Sequence, residues 1–281
     1  MDNRPVTVPE ISARKNSGKK ITALTAYDYS FAKLLDATDL DIILVGDSLG
    51  MVSLGHENTL AVTMENMIDH TRAVKQGAQR ALVVGDMPFM SYQVSVEQAV
   101  TNAGRLIQQG GASAIKLEGG ARMADRVQAI VQAGIPVMGH IGLTPQSVHQ
   151  FGGYKVQGKN YLDSRQIRQD AHDLQNAGIF ALVLEGIPGE LAAEITHELK
   201  IPTIGIGAGS KCDGQILVLH DLLGLNLDFV PKFVKQYAQM ADGLKNAVSE
   251  YIQDVRSETF PAQEHTYHSK QGKLKQVNDG D

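Results

Sequence analysis

The sequence predicts an α/β protein, a (β/α)8 TIM barrel formed as a single domain with an N-terminal capping helix. Three observations carry this reading. Short runs rich in Val, Ile and Leu recur along the chain without polar alternation, as strands buried on both faces of a parallel sheet do. Segments with helical periodicity separate them. There are eight such runs in 281 residues, about one βα unit per ~35 residues, a spacing that suits a closed barrel better than a doubly wound open sheet.

The predicted strands cover residues 21–25, 42–46, 81–85, 114–117, 136–139, 181–184, 202–206 and 216–219. Residues 1–20 are expected to include a helix that plugs the bottom of the barrel. Between the second and third strands, Met64, Met67, Ile68, Thr71 and Val74 form one apolar stripe, closed by Gly77. Between the third and fourth, Val96, Ala99, Val100, Ala103, Leu106 and Ile107 form another. Ser95 and Gln98 there have capping-box spacing, and Gly110–Gly111 ends the helix. Residues 144–162 are a long connection rich in Gly and polar groups, and long loops in compact domains are usually functional. The barrel is expected to occupy residues 1–260, with 261–281 as a polar, flexible C-terminal tail.

Composition excludes several function classes. The chain is 43% hydrophobic and 20% charged, with a net charge of −5, so no basic field exists for a nucleic-acid backbone or an anionic membrane. The single cysteine, Cys212, rules out an intramolecular disulfide framework and a thiolate-rich metal site. No apolar run is long enough to span a bilayer, and the first residues lack a signal-type apolar segment. A soluble, cytoplasmic protein is expected.

The chemistry gathers where the predicted strands end, the face on which barrels carry their active sites. Asp47 and Ser48 follow the second strand, and Asp86 follows the third. Lys116 and Glu118 mark the fourth, His140 the fifth and Glu185 the sixth. One Asp after a strand is often only a helix N-cap. Four carboxylates at successive strand ends are harder to explain that way, because like charges in one pocket need a proton or a cation to hold them. Lys116 is one cation. A divalent metal would supply the rest, and oxygen ligands without cysteine favour Mg(II). His140 reads either as a structural hydrogen-bonder or as a substrate contact. The Gly205-Ile206-Gly207-Ala208-Gly209 stretch has its third glycine one position early for a dinucleotide fingerprint and reads as a tight strand-end loop. Cys212 has no evident activating partner and reads as inert.

These stretches, in this order, resemble the ketopantoate hydroxymethyltransferase family. The motifs that carry the resemblance include VGDSLGM (45–51), GDMPFMSY (85–92), AIKLEGG (114–120), GHIGLTPQ (139–146) and LVLEGIP (182–188), and the likeness runs from about residue 5 to 268. It implies a barrel that binds Mg(II) through Asp47 and Asp86, with Glu118 as a further ligand or an immediate neighbour. Asp47, Ser48, Asp86 and Lys116 would form the substrate-binding set, and Glu185 would be the catalytic base. The implied reaction moves a hydroxymethyl group from 5,10-methylenetetrahydrofolate to 3-methyl-2-oxobutanoate, giving 2-dehydropantoate in pantothenate biosynthesis. It also implies a homo-oligomer, a decamer, with small-molecule partners only.

Elementary chemistry agrees with that reaction. A 2-keto acid can chelate a metal, which then stabilises the enolate formed when the adjacent C–H is lost. Lys116 adds positive charge where the oxyanion develops. Two other readings compete. One is a metal-dependent barrel lyase of the isocitrate-lyase or phosphonomutase kind, which shares the enolate chemistry and needs no folate. The other is a catalytically inactive barrel kept for binding or assembly. No folate-binding residue follows from spacing; Tyr27 and Phe89 either stack on a pterin or fill core, and core is the better reading.

Overall fold

A computed structural model describes residues 4–15, 17–226 and 230–268. Eight parallel strands close into a barrel in sequence order, each paired with the next and β8 with β1. They are β1 (Ile21–Thr25), β2 (Ile42–Val45), β3 (Leu82–Asp86), β4 (Ala114–Glu118), β5 (Val137–Gly142), β6 (Ala181–Glu185), β7 (Thr203–Ile206) and β8 (Gly214–Leu217). The helices in chain order are α1 (Val8–Ala13), α2 (Tyr29–Asp36), α3 (Leu49–Val52), α4 (Met64–Gly77), α5 (Val96–Gln108), α6 (Ala124–Gln132), α7 (Val148–Phe151), α8 (Tyr161–Ala177), α9 (Gly189–Glu198), α10 (Leu219–Leu222) and α11 (Met240–Arg256).

Strand pleating sorts the core into two parts. Ile21, Ala23, Ile42, Leu44, Leu82, Val84, Ala114, Met138, Val183, Ile204 and Ile216 point inward and fill the barrel. Ile11 of α1 joins this inner cluster and is fully buried, so α1 closes the bottom as the sequence predicts. Thr7 starts α1 with a capping box to Glu10, and Pro9 preorganises its first turn. The outer positions of the strands, such as Ile43, Val83, Ile115 and Leu182, pack instead against the surrounding helices.

The helix stripes form as predicted, with small changes at their ends. Met64, Met67, Ile68, Thr71 and Val74 are all buried on α4, whose N-terminus carries a Thr63–Asn66 capping box. On α5, Ser95 caps by accepting from the Gln98 backbone. The return half of the expected box is absent: Gln98 Nε2 donates to Met90 O, 3.1 Å away. That bond supports Met90 in a left-handed conformation, φ 64°, in the loop beside the barrel mouth.

Four strands run further than predicted. β3, β4, β5 and β6 include Asp86, Glu118, His140 and Glu185. Polar residues read as strand terminators in a buried run, but here they are the last inward rung of each strand. Their direction is therefore set by the pleat and not by a mobile loop. β8 is displaced the other way. It covers Gly214–Leu217, not 216–219, and Leu219 begins α10. A Gly-Gln start resembles loop, yet its register against β1 is continuous. The β7–β8 connection, residues 207–213, contains no helix. Gln215 on β8 and Thr22 on β1 are exposed on their outer face, against the expectation of two buried faces. Gly207 (φ 61°) and Gly209 (φ 75°) turn the chain there and do not open a helix, so no dinucleotide loop is present.

The polar tail expected from residue 261 is described to residue 268, where Gln263–His265 form a 3-10 turn and His265 packs on Phe260. Residues 269–281 lie outside the described residues. Among the described residues no helix is long and apolar enough to cross a membrane.

Candidate active site

Strand register assembles the site before any side chain is considered. Asp86 pairs with Lys116, Glu118 pairs with His140, and Gly142 pairs with Glu185. In-register neighbours on one face stand side by side, so six inward or strand-end groups meet at the top of the barrel. Asp47 enters just beyond β2, where its backbone N–H donates to Asp86 Oδ2 at 3.2 Å.

Lys116 Nζ donates to both oxygens of Asp86, at 2.9 and 2.8 Å, and lies 3.7 Å from Glu118 Oε1. His140 sits between two carboxylates, with Nδ1 3.3 Å from Glu118 Oε1 and Nε2 3.2 Å from Glu185 Oε2. These are ion-pair distances; neither contact has hydrogen-bond geometry. A continuous polar chain thus runs Asp86, Lys116, Glu118, His140, Glu185. His140 stands between the predicted base and the buried carboxylates. Gly142 allows the strand ends to close up there, since a Cβ at its φ of 96° would lie 2.2 Å from Glu185 O.

Burial differs along the chain. The side chains of Asp86, Glu118, Lys116 and His140 are only 1–5% exposed, while Glu185 is 17% exposed. Glu185 is therefore the carboxylate most open to an incoming ligand. Ser48 lies beside Asp47 but turns its hydroxyl to Tyr27 Oη, 2.9 Å away. Tyr27 is buried and its ring tilts against His220 at a centroid distance of 5.5 Å, which makes it core and not a stacking platform. Phe89, three residues beyond β3, is 37% exposed and does not fill core as expected, because the chain there has already left the barrel.

Electrostatics follow from crowding charge where water is scarce. Burial pushes the Asp47 carboxyl well above the usual carboxylate range, and Asp86 and Glu118 push it further; Lys116 and Gln146 oppose this incompletely. Burial also raises Asp86, against the pull of Lys116. Glu118 moves the other way: burial would raise it, but His140, Lys116 and the Gln146 backbone hold it below its ordinary value. Burial and Lys116 push His140 down, and its two carboxylate neighbours outweigh them, lifting it to about 9. Lys116 shifts upward because its carboxylates overcome its burial. Both basic groups are therefore charged at neutral pH.

Two groups in the site carried no signal in the sequence beyond their loop. Gln146, in the 144–162 connection, hydrogen-bonds Asp47 and Glu118. Tyr92 donates to Gln146 Oε1 at 2.7 Å and accepts from the Glu118 N–H at 3.1 Å. Cys212 is buried away from these groups; burial raises its thiol pKa, in line with an inert residue.

The barrel is shared with solved structures of low sequence identity. Phosphoenolpyruvate phosphomutase from Streptomyces platensis subsp. rosaceus superposes with a TM-score of 0.61 at 12% identity, over 93% of this chain and 92% of that one. A 2,3-dimethylmalate lyase of the PEP mutase/isocitrate lyase superfamily gives 0.59 at 16% identity, over 92% and 87%. Sequence relatives are far nearer. The 3-methyl-2-oxobutanoate hydroxymethyltransferase of Pelobacter propionicus is 57% identical over 264 residues, covering 94% of this chain and 98% of the relative. The protein of the same name from Clostridium botulinum (strain Loch Maree / Type A3) is 58% identical over 261 residues, covering 93% and 95%. The family model for ketopantoate hydroxymethyltransferase matches residues 5–263, a span that holds all eight strands and every residue of the polar chain at the barrel mouth. With that match across the chain and relatives above half identity, this protein belongs to the ketopantoate hydroxymethyltransferase family.

Proposed function

We propose that this enzyme transfers a hydroxymethyl group to 3-methyl-2-oxobutanoate from 5,10-methylenetetrahydrofolate, with water supplying the hydroxyl, to give 2-dehydropantoate for pantothenate biosynthesis. The observation that carries the reading is the arrangement of Glu185. It is an accessible carboxylate beside a buried cluster that includes the basic groups Lys116 and His140, on a chain whose relatives bear that enzyme's name. Glu185 takes the proton from C3 of the keto acid. Lys116, held charged, offsets negative charge on the keto oxygen, assisted by the Ser48 hydroxyl. His140 holds the Glu185 carboxylate toward the cluster. Crowding by Gln146, Tyr92 and the 144–162 connection keeps water from the reacting carbons.

The donor set suits a divalent cation. Four carboxylate side chains, Asp47, Asp86, Glu118 and Glu185, gather at the barrel mouth against two basic groups, Lys116 and His140, so a cation would relieve the crowding. Among the described residues, no three His, Cys, Asp or Glu side chains already form a metal cage. Mg(II) needs none, as it commonly binds one or two carboxylates and fills its other positions with water and substrate oxygens. Asp47 and Asp86 would hold it, with Glu118 as their neighbour. When bound, such an ion supplies Lewis-acid polarisation of the keto acid.

The raised Asp47 carboxyl gives this a pH signature. In the ion-free site the proton and the cation compete for that group, so binding releases a proton and affinity rises with pH. Calorimetric titration with Mg(II) should show affinity increasing by up to about tenfold per pH unit in the acid range and levelling off above it. Affinity independent of pH across that range would remove Asp47 from the cation site.

The activity itself is tested by omitting the folate. Purified enzyme with keto acid and Mg(II) should form no 2-dehydropantoate until 5,10-methylenetetrahydrofolate is added. Turnover of the keto acid at equal rate without it would instead indicate a lyase. The reading also includes a cytoplasmic homo-oligomer, a decamer in line with the resemblance. The apolar stripe Leu244, Val248, Tyr251, Ile252 and Val255, exposed along α11, supports self-association.

A further inference from the structure

Gln146 lies in the 3-10 turn Pro145–Ser147 that follows β5, and it is only 6% exposed. A glutamine amide offers two N–H donors and an oxygen that accepts twice. Here every one is used. Nε2 donates to Asp47 Oδ2 and to Met87 O, each at 2.9 Å. Oε1 accepts from Tyr92 Oη at 2.7 Å and from Gln93 Nε2 at 3.2 Å. The backbone N–H of the same residue donates to Glu118 Oε2 at 3.0 Å. Reversing the amide would set its oxygen against Asp47 Oδ2 and Met87 O, two acceptors with no donor between them, so its orientation is fixed by chemistry. One residue in a loop that follows β5 thus ties together the segments after β2 and β3, through its side chain, and the end of β4, through its backbone.

We propose that Gln146 is the positioning residue that presents Asp47 to the divalent cation. By engaging Oδ2 it stops the carboxylate from rotating and leaves Oδ1 as the oxygen offered to the ion. By donating a hydrogen bond it favours the ionised form of a carboxylate that burial opposes. The bond to Glu118 couples this to the same turn, so the 144–162 connection must be seated for the cation site to be complete. The proposal rests on the reading that Asp47 holds a cation.

The test uses the full chain without substrates and Mn(II) as the probe, with free Mn(II) measured by electron paramagnetic resonance. Gln146→Met keeps the length of the side chain and removes both donors. It should weaken Mn(II) binding by about 10–100-fold, as loss of a partner behind a ligand typically does. Tyr92→Phe frees only the amide oxygen and should weaken binding by a few-fold. The double variant should bind about as well as Gln146→Met alone, because the tyrosine acts through the amide. A purely structural role would lower the thermal midpoint and leave Mn(II) affinity per folded molecule unchanged. Gln146→Met binding within about twofold of the parent, or fully additive losses, would overturn the proposal. Should Gln146→Met not fold, Tyr92→Phe decides: a few-fold loss supports the proposal and unchanged affinity overturns it. A parent enzyme that binds no Mn(II) removes the cation reading and the proposal together, whereas a parent that binds and a variant that matches it removes the proposal alone.

Discussion

Glu185→Gln should slow deuterium exchange at C3 of 3-methyl-2-oxobutanoate by about 10²–10⁴-fold, the span a positioned general base contributes. The amide is nearly the same shape, so the barrel and its cation affinity should persist. The geometry favours this carboxylate over its neighbours for the proposed role of base. Asp86 gives both oxygens to Lys116, and Glu118 is taken by the Gln146 N–H and flanked by His140 and Lys116. With their oxygens occupied in this way, neither carboxylate is free to reach the C–H of a substrate. Glu185 has one ionic neighbour, His140, and is the more exposed of the two carboxylates that flank it. Exchange read by NMR in D₂O without folate isolates this step from one-carbon transfer. Exchange at the parental rate would take Glu185 out of the base role, while loss of exchange accompanied by loss of the fold would be visible in circular dichroism.

The barrel was legible because its signals are local. Apolar runs and helical stripes require only a few neighbouring residues, and strands such as Ile21–Thr25 can be read directly from them. Asp86, Glu118 and Glu185 were legible as chemistry but not as structure. A buried run that ends in a charge looks terminated, whereas the pleat carries that charge into the barrel as its uppermost inward residue. β8 shows the reverse error, since Gly214 and Gln215 have loop character and become strand only through pairing with β1. Gln146 was invisible for a stronger reason. Its importance exists only where the segments after β2, β3 and β5 meet the end of β4, and no spacing along the chain encodes that convergence. The exposed outer faces of β1 and β8 likewise depend on which helices pack over them, and α11 after β8 is itself largely exposed, which is a property of the ring and not of either strand.

Lys116→Met should be the most damaging single change to stability. Its ammonium donates to both oxygens of Asp86, and the methionine replaces it with an apolar chain that leaves Asp86 without those two hydrogen bonds. Breaking a buried ion pair from one side typically costs about 3–5 kcal/mol, because the surviving charge stays buried without compensation. The sign of the pH dependence follows. Without the ammonium the folded-state pKa of Asp86 rises further above its unfolded value, so the carboxylate destabilises the fold wherever it must ionise. That penalty is fully present above the folded pKa and shrinks as the pH falls through it and the group is protonated. Chemical denaturation of the variant should therefore show a stability deficit of up to about 3–5 kcal/mol that narrows as the pH is lowered, and Mg(II) should recover part of it by supplying the missing charge. A deficit that is constant with pH would mean that Lys116 serves packing and not charge balance. Activity should fall with stability but should not return with Mg(II), because an ion shared by Asp47 and Asp86 does not replace a charge aimed at the keto oxygen.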